Sequence, residues 1–430
     1  MTTATPDDTE IFTRRESEAR SYCRSFPVVF DSASGATLRT KDGREYIDFL
    51  AGCSSLNYGH NDPDMKAALI AYLEADGVAH GLDMHTAAKA DFLEAFERLI
   101  LKPRNMDYKV MFTGPTGANA VEAALKLARK VTGRTNVIAF TNGFHGVTHG
   151  ALAATGNGYH RGGASGVSLP DVTRLPYDGF LGRGADTADV LNRMLADPSS
   201  GVDEPAAILL ETVQGEGGLN AASRDWVRRV EQIARAHGAL LIVDDIQAGC
   251  GRTGSFFSFE EMGVKPDLVT MAKSLSGFGL PLAALLVRPE HDIFGPAEHN
   301  GTFRGNNHAF LTARVALEKF WADAGFQETI GNKSAFLERR LRKIAEHLPA
   351  ARLKGRGMMM GVDVGSGETA SEICARCFEA GLVIETSGAH DEVVKVLAPL
   401  TIDEALFARG LDILEDAVRD VSTTSKIAAE

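Results

Sequence analysis

The chain has 430 residues, 44 % of them hydrophobic, which is enough to bury a large core and more than one simple domain needs. Its formal net charge of −12 argues against a nucleic-acid face as its main business. No apolar run approaches the roughly 20 residues of a membrane span, and the polar, mixed-charge N-terminus lacks the apolar core of a signal peptide. The five scattered cysteines (Cys23, Cys53, Cys250, Cys374, Cys377) fit a reducing compartment better than a disulfide framework. The expected location is the cytoplasm. Cys374 and Cys377 lie on one helical pattern with no second pair, so they read as helix packing and no metal site is expected.

Residues 1–60 read as an approach arm. It holds a charged helix candidate near Glu10 to Arg24, an apolar run from Val28 to Phe30, and the turn Lys41-Asp42-Gly43 ahead of Tyr46 to Leu50. Asp-Gly between such runs is a hairpin signal. Asn61-Asp62-Pro63 then reads as a helix start, and the following helix carries Met65, Leu69 and Leu73 on one face.

From about 108 to 290 short apolar strands alternate with helices. The strand candidates are Val110 to Phe112, Val137 to Phe140, Ala207 to Leu210, Leu240 to Val243, Leu268 to Met271 and Ala284 to Val287. Helix candidates fall at Ala118 to Lys130 and Asp225 to His237. The alternation predicts a large α/β domain, 61–320, around a mainly parallel sheet, in which ligands sit beyond the carboxyl ends of the strands. Residues 321–430 change character. A long charged helix near Leu311 to Ala345, the strand Met358 to Val364, a helix at Ala370 to Ala380, the strand Val393 to Leu397 and a helix from Asp403 predict a smaller α+β domain. The N-terminal arm is expected to join it in space.

The unusual residues lie at strand ends. In Thr113 to Lys130 a strand stops at Phe112 and a helix begins near Ala118, a junction whose small residues let backbone N–H groups reach a phosphate at a helix N-terminus. A tight turn would need the same glycines. The stretch lacks G-x-G-x-x-G and a placed acidic ribose partner, which weakens a dinucleotide reading. Phe144 and His145, set between glycines after a strand, suit stacking on a planar ring or simple packing. Glu211 and Glu216 leave a buried strand together, and buried carboxylates need partners or a task. Asp244 follows four apolar residues, and a protonated ring nitrogen would satisfy it with a charge-assisted hydrogen bond of about 1.5–3 kcal/mol. Lys273, alone after an apolar strand, is either a snorkelling surface residue or one desolvated for Schiff-base chemistry.

Together these motifs resemble the class III aminotransferases of the ornithine and GABA type, over almost the full length. The ordered set is Y-I-D-F-L-A-G, N-Y-G-H, T-G-P-T-G-A, F-H-G, E-T-V-Q-G-E, D-D-I-Q with G-R-T-G, P-D-L-V-T-M-A-K, and G-T-F-R-G-N at Gly301 to Asn306. The resemblance implies a fold type I transferase that depends on pyridoxal 5'-phosphate, with a mainly parallel seven-stranded sheet in its large domain. It implies that Lys273 carries the cofactor and moves the proton at the substrate carbon. Asp244 would hold the pyridine nitrogen protonated and Gln247 would approach the ring hydroxyl. Phe144 and Ile246 would cover the two ring faces, with His145 and Glu211 beside them. Thr116, Gly117 and Ala118 would bind the phosphate, joined by Thr302 from a neighbouring subunit, so that a homodimer is the minimal active unit.

Within the family, ESEARSYCRSFPVVF, D-D-I-Q-A-G-C-G-R-T-G and V-L-A-P-L-T-I are similar to a diaminobutyrate-forming subgroup of ectoine biosynthesis. That likeness implies that L-glutamate gives its amino group and leaves as 2-oxoglutarate, and that L-aspartate 4-semialdehyde accepts it at its terminal carbon to become L-2,4-diaminobutyrate. The alternatives are another ω-aminotransferase (ornithine, GABA or acetylornithine type), an aminomutase on the same fold, and a non-catalytic cofactor-binding protein. Two departures bear on substrate. Val147 stands where relatives often have a carboxylate-binding arginine, and Lys395 stands where they have the arginine that pairs with the glutamate matching Glu216. Lysine lacks the bidentate fork, which makes Lys395, Arg304, His60 and Arg24 the carboxylate candidates. Cys53 occupies a place often held by a bulkier substrate-contacting residue.

Overall fold

The computed structural model describes residues 9–182 and 184–429, with 424–429 as backbone alone. The first eight residues of the expected arm lie outside the described residues.

Seven strands form the central sheet, in the order Lys109–Phe112, Ala284–Val287, Leu268–Met271, Leu240–Asp244, Ala207–Leu210, Val137–Phe140 and Val172–Leu175. Ala284–Val287 runs antiparallel to both neighbours, and the other pairs are parallel. The strands in the middle are buried along their whole length, as continuous apolar runs in a sheet covered on both faces should be. Six of them lie where the apolar runs predict. Val172–Leu175 escapes that reading because it is an edge strand of mixed character. Its Arg174 turns back to donate to the carbonyls of Ala153 and Thr155.

The helix Gly117–Thr132 packs Val121, Ala124, Leu125 and Ala128 against this sheet, with Val121 and Leu125 each contributing about 1.5–3 kcal/mol. Thr116 caps it through a reciprocal box with Asn119, which fixes where the first backbone N–H groups point. The helix Arg224–Ala236, capped by Ser223, buries Trp226, Val227, Val230 and Ile233.

Around this body sit two four-stranded sheets. Phe30–Ser34, Thr37–Thr40 and Glu45–Asp48 form an antiparallel meander across the Asp42-Gly43 turn, and Leu382–Val383 from the C-terminal third adds to it in parallel. Arg352–Arg356, Met359–Asp363, Val393–Val396 and Glu385–Ser387 form the other, antiparallel throughout.

Three expectations change. The charged helix of the arm is two short helices, Glu10–Arg15 and Tyr22–Ser25; neither buries a side chain, so packing does not hold a longer one together. The long helix from Leu311 to Ala345 is also two, Asn307–Phe320 and Gly325–Ala345. The break comes at Trp321, whose indole donates to the Tyr58 hydroxyl at 2.8 Å, and Asp323 accepts from the N–H of Gly325. In Pro63–Glu74, Met65 is buried but Leu73 is 55 % exposed, so the predicted face is not one core face. Leu73 belongs instead to a set of exposed apolar residues with Ile70, Val78, Leu82, Met84 and Phe303.

Arg252 ties the body to its surroundings. It is fully buried and donates to the Asn57 side chain at 3.1 and 2.5 Å, and to the carbonyls of Met358 at 3.2 Å and Ala398 at 2.6 Å. Burial lowers its pKa to about 9, with Asp48 acting the other way. No helix among the described residues is long and apolar enough to cross a membrane.

Candidate active site

A cleft of about 300 Å³ opens at the carboxyl ends of the parallel strands. Thr116, Gly117 and Ala118 line it from the turn after Lys109–Phe112, Phe144 and His145 from the turn after Val137–Phe140, and Glu211 from the end of Ala207–Leu210. Asp244 ends Leu240–Asp244, Ile246 and Gln247 follow it, and Lys273 follows Leu268–Met271. The expected cofactor residues therefore converge, Thr302 excepted. Thr302 lines a neighbouring hollow with His80 and Phe303, and Pro115 and Pro281 border both cavities.

Asp244 is held by the sheet itself. Its partner in the parallel register is Thr270, whose hydroxyl donates to Oδ1 at 3.0 Å, while Oδ2 meets Nδ1 of His145 at 2.7 Å. Burial opposes charging of His145, but the hydrogen bond and charge of Asp244, with Glu211 behind, raise its pKa above the usual range. Glu211 accepts from the N–H of Phe144 at 3.0 Å, and burial pushes its own pKa up. Asp245 faces away from the cleft. It takes the N–H of Ser258 at 3.2 Å and so pins the following loop, and burial raises its pKa to about 7.

Lys273 has φ +51°, a left-handed conformation that costs a non-glycine residue of order 1–3 kcal/mol. Close approach elsewhere needs glycine. A Cβ on Gly117 would stand 2.9 Å from Cδ1 of Ile246, and one on Gly215 only 1.5 Å from Oε1 of Gln247.

Behind Glu216 and Gln247, which line the cleft, lies a polar cluster built from separate segments. Lys395 is 0 % exposed, and its ammonium sits 3.0 Å from Glu216 and 2.9 Å from Glu385. Burial opposes the charge on Lys395, but the two carboxylates outweigh it and raise the pKa. Burial likewise opposes ionisation of Glu216; Lys395, Lys273 and the hydrogen bond from Gln247 hold it at about 2. Gln247 joins Glu216, at 2.9 Å, to the carbonyl of Cys53, at 3.3 Å. The thiol of Cys53 contacts the Tyr22 hydroxyl at 2.8 Å, and burial lifts its pKa to about 11. Ala51, Gly52, Cys53 and Ser54 all have positive φ, forming one left-handed turn. Asp48 stabilises its entry by accepting from the N–H groups of Leu50 and Ala51 at 2.8 Å, and His60 in turn fixes Asp48 at 2.7 Å.

The other carboxylate candidates are not brought to the cleft. His60 is engaged by Asp48. Arg24 is exposed and paired with Glu18 at 2.6 Å. Arg304 lies beside the second hollow, 3.8 Å from Asp83. Val147 is 60 % exposed and faces a separate surface depression with Tyr159. Sequence reasoning missed Glu385, Tyr22 and the left-handed turn. Glu385 sits on a three-residue strand whose first two residues are half-buried, and its one sequence signal is that Lys395, directly opposite in the register, needs a partner.

The family model for class III aminotransferases matches residues 19–418. The diaminobutyrate–2-oxoglutarate transaminase of Vibrio parahaemolyticus is 56 % identical over 417 residues, 96 % of this chain and 98 % of that protein. The Halomonas elongata protein of the same name is 55 % identical over 415 residues, 96 % and 99 % of the two chains. Among solved structures, the ornithine aminotransferase of Toxoplasma gondii superposes with a TM-score of 0.85 at 26 % identity, covering 98 % of this chain and 97 % of its own. A second structure of that enzyme, TM-score 0.81 at 26 % identity, shows partial occupancy of PLP at its active site and covers 96 % and 94 % of the two chains. The cleft fits that group. A capped helix N-terminus with room kept by Gly117 suits its phosphate, and a buried carboxylate and a lysine line the same cavity. The chain belongs to the class III aminotransferases, enzymes that depend on pyridoxal phosphate.

Proposed function

We propose that this aminotransferase moves an amino group from L-glutamate to the terminal carbon of L-aspartate 4-semialdehyde, giving 2-oxoglutarate and L-2,4-diaminobutyrate. The observation that carries the reading is the run of relatives bearing that name at 53–57 % identity over nearly the whole chain. The same proposal places the enzyme in ectoine biosynthesis in the cytoplasm. Pyridoxal phosphate, when bound, supplies an electron sink beside the carbon that loses its proton.

The chain's own residues do the rest. Lys273 holds the cofactor and passes the proton at the substrate carbon, ordinary general acid/base work for a positioned amine. Asp244, fixed by Thr270 and His145, would pair with a protonated ring nitrogen. Thr116, Gly117 and Ala118 bind the phosphate at the helix N-terminus. Phe144 and Ile246 would flank the ring, while Glu211 holds the Phe144 backbone in place. Gln247 would hold the ring hydroxyl, and it donates to Glu216 at 2.9 Å. At the far end Glu216 can swing aside from Lys395 and leave an ammonium for a glutamate carboxylate.

A homodimer is part of the reading. Thr302 lies outside the cleft in a hollow that adjoins it, and exposed Ile70, Leu73, Val78, Leu82, Met84 and Phe303 are apolar surface suited to burial against a second copy. The division into an arm (1–60), a cofactor domain (61–320) and a small domain (321–430) is supported by the sheet that joins Glu45–Asp48 to Leu382–Val383.

A substrate screen tests the reaction. With glutamate as donor, aspartate 4-semialdehyde should give a higher kcat/KM than succinate semialdehyde or glutamate semialdehyde. Preference for either of the others assigns the enzyme to the GABA or ornithine type. Turnover that needs no external amino donor or acceptor would make it an aminomutase.

A further inference from the structure

The two substrates of the proposed reaction differ at the end that does not react. Glutamate reacts at its α-amino group and presents a carboxylate there. 2,4-Diaminobutyrate reacts at its terminal amine and presents a carboxylate and an ammonium on one carbon. A single pocket must therefore offer a cation to both and an anion to the second.

The cluster around Lys395 has that composition. One buried ammonium is shared by two carboxylates, Glu216 at 3.0 Å and Glu385 at 2.9 Å, so the group holds one more acid than base. A lone counterion would satisfy Lys395, and a surplus buried carboxylate is costly unless it takes up a proton or a further positive charge arrives; burial raises the Glu385 pKa, so an arriving ammonium would replace that proton. The surplus falls on Glu385. Its side chain is 11 % exposed, and only Oε1 is engaged among the described residues, by Lys395 and at 3.8 Å by the Cys53 thiol. Gln247 and Cys53 connect this carboxylate to the cleft, and the Cys53 thiol feels Glu385, Lys273, Glu216 and Lys395 together, which places the cluster within electrostatic reach of the reacting lysine.

We propose that Glu385 is a specificity residue whose free carboxylate oxygen receives the α-ammonium of 2,4-diaminobutyrate and of aspartate 4-semialdehyde. With that ammonium bound, two anions face two cations and the cluster is balanced. The Tyr22 hydroxyl lies beside this cluster, 2.8 Å from the Cys53 thiol. When glutamate binds, its carboxylate takes the ammonium of Lys395 instead, and Glu385 remains the anchor that keeps Lys395 in place. This proposal rests on the reaction proposed above.

The test uses 4-aminobutyrate, which is diaminobutyrate without its α-ammonium. The apparent second-order rate constant of the single-turnover half-reaction is measured for both amines and for glutamate with the cofactor-loaded wild type and with Glu385→Gln, which keeps a hydrogen-bond acceptor for Lys395 and removes the charge. The wild type should prefer diaminobutyrate. In Glu385→Gln the ratio of diaminobutyrate to 4-aminobutyrate should fall by about 10- to 100-fold, the worth of one charge-assisted hydrogen bond, and Glu385→Asp should restore part of it. A ratio unchanged in Glu385→Gln overturns the assignment, and an equal loss on all three substrates makes Glu385 only a counterion for Lys395. A wild type inert toward diaminobutyrate overturns the proposed reaction itself, which separates the two failures.

Discussion

The two ends of the cleft are built in opposite ways. At the cofactor end the polar groups lie at, or within a short turn of, the strand ends of one sheet, and register fixes the central one: Asp244 lies beside Thr270 because Leu240–Asp244 and Leu268–Met271 run parallel with those residues opposed. At the substrate end Tyr22, Cys53, Glu216, Glu385 and Lys395 come from the arm, a left-handed turn, a loop of the body and two strands of the small sheet. The first arrangement tolerates little change, since moving one group shifts a buried strand. The second can be rewritten one side chain at a time, which suits the part of a site that sets specificity.

The comparison predicts unequal sensitivity. Asp244→Asn removes the charge that faces the proposed ring nitrogen and raises the His145 pKa. It should lower kcat by about 10²- to 10³-fold, the scale of losing one preorganised electrostatic partner, with a fall in the imidazole pKa measured by NMR. Near-normal kcat would show that the sheet end is not the critical one.

Lys395→Ala should act on substrate rather than cofactor. We expect the KM for glutamate to rise by about tenfold or more, in line with one lost charge-assisted hydrogen bond, while cofactor affinity shifts far less. Two buried carboxylates lose their shared partner, so stability should also drop by about 3 kcal/mol. An unchanged KM moves the carboxylate site elsewhere.

The smallest effect tests Asp245, which shares the strand end with Asp244 but faces away from the cleft. Its folded-state pKa of about 7 exceeds the ordinary 3.8, so the native state binds the extra proton between those values. Its contribution is therefore most favourable below about pH 4 and weakens as pH rises toward 7. Asp245→Asn should raise Tm more at pH 8 than at pH 5, with kcat affected far less than in Asp244→Asn. An equal shift at both pH values would contradict the assignment.

The same division decides what the sequence makes legible. Buried parallel strands are continuous apolar runs, so Asp244, Glu211 and Lys273 stand out as charges at the ends of such runs. Ordered motifs then supply the resemblance that turns those charges into a cofactor site. The edge strand Val172–Leu175 is hidden by its polar residues, and the break at Trp321 by a helical pattern that continues across it. Tyr22 reaches Cys53 across 31 positions, and Cys53 reaches Glu385 across 332, contacts that local periodicity does not carry. Lys395 and Glu216 were visible as a pair through the resemblance, yet the third member, Glu385, needed the register of Glu385–Ser387 on Val393–Val396. His60 and Arg24, plausible as cations, prove to be engaged by Asp48 and Glu18.

The most direct test of the central claim is chemical mapping of the lysine that carries the cofactor. Borohydride reduction of the pyridoxal-phosphate-loaded protein, followed by peptide mass spectrometry, should place the adduct on the peptide containing Lys273 and leave Lys273→Ala unlabelled there. An adduct on any other lysine, or turnover at the normal rate in Lys273→Ala, would contradict the account.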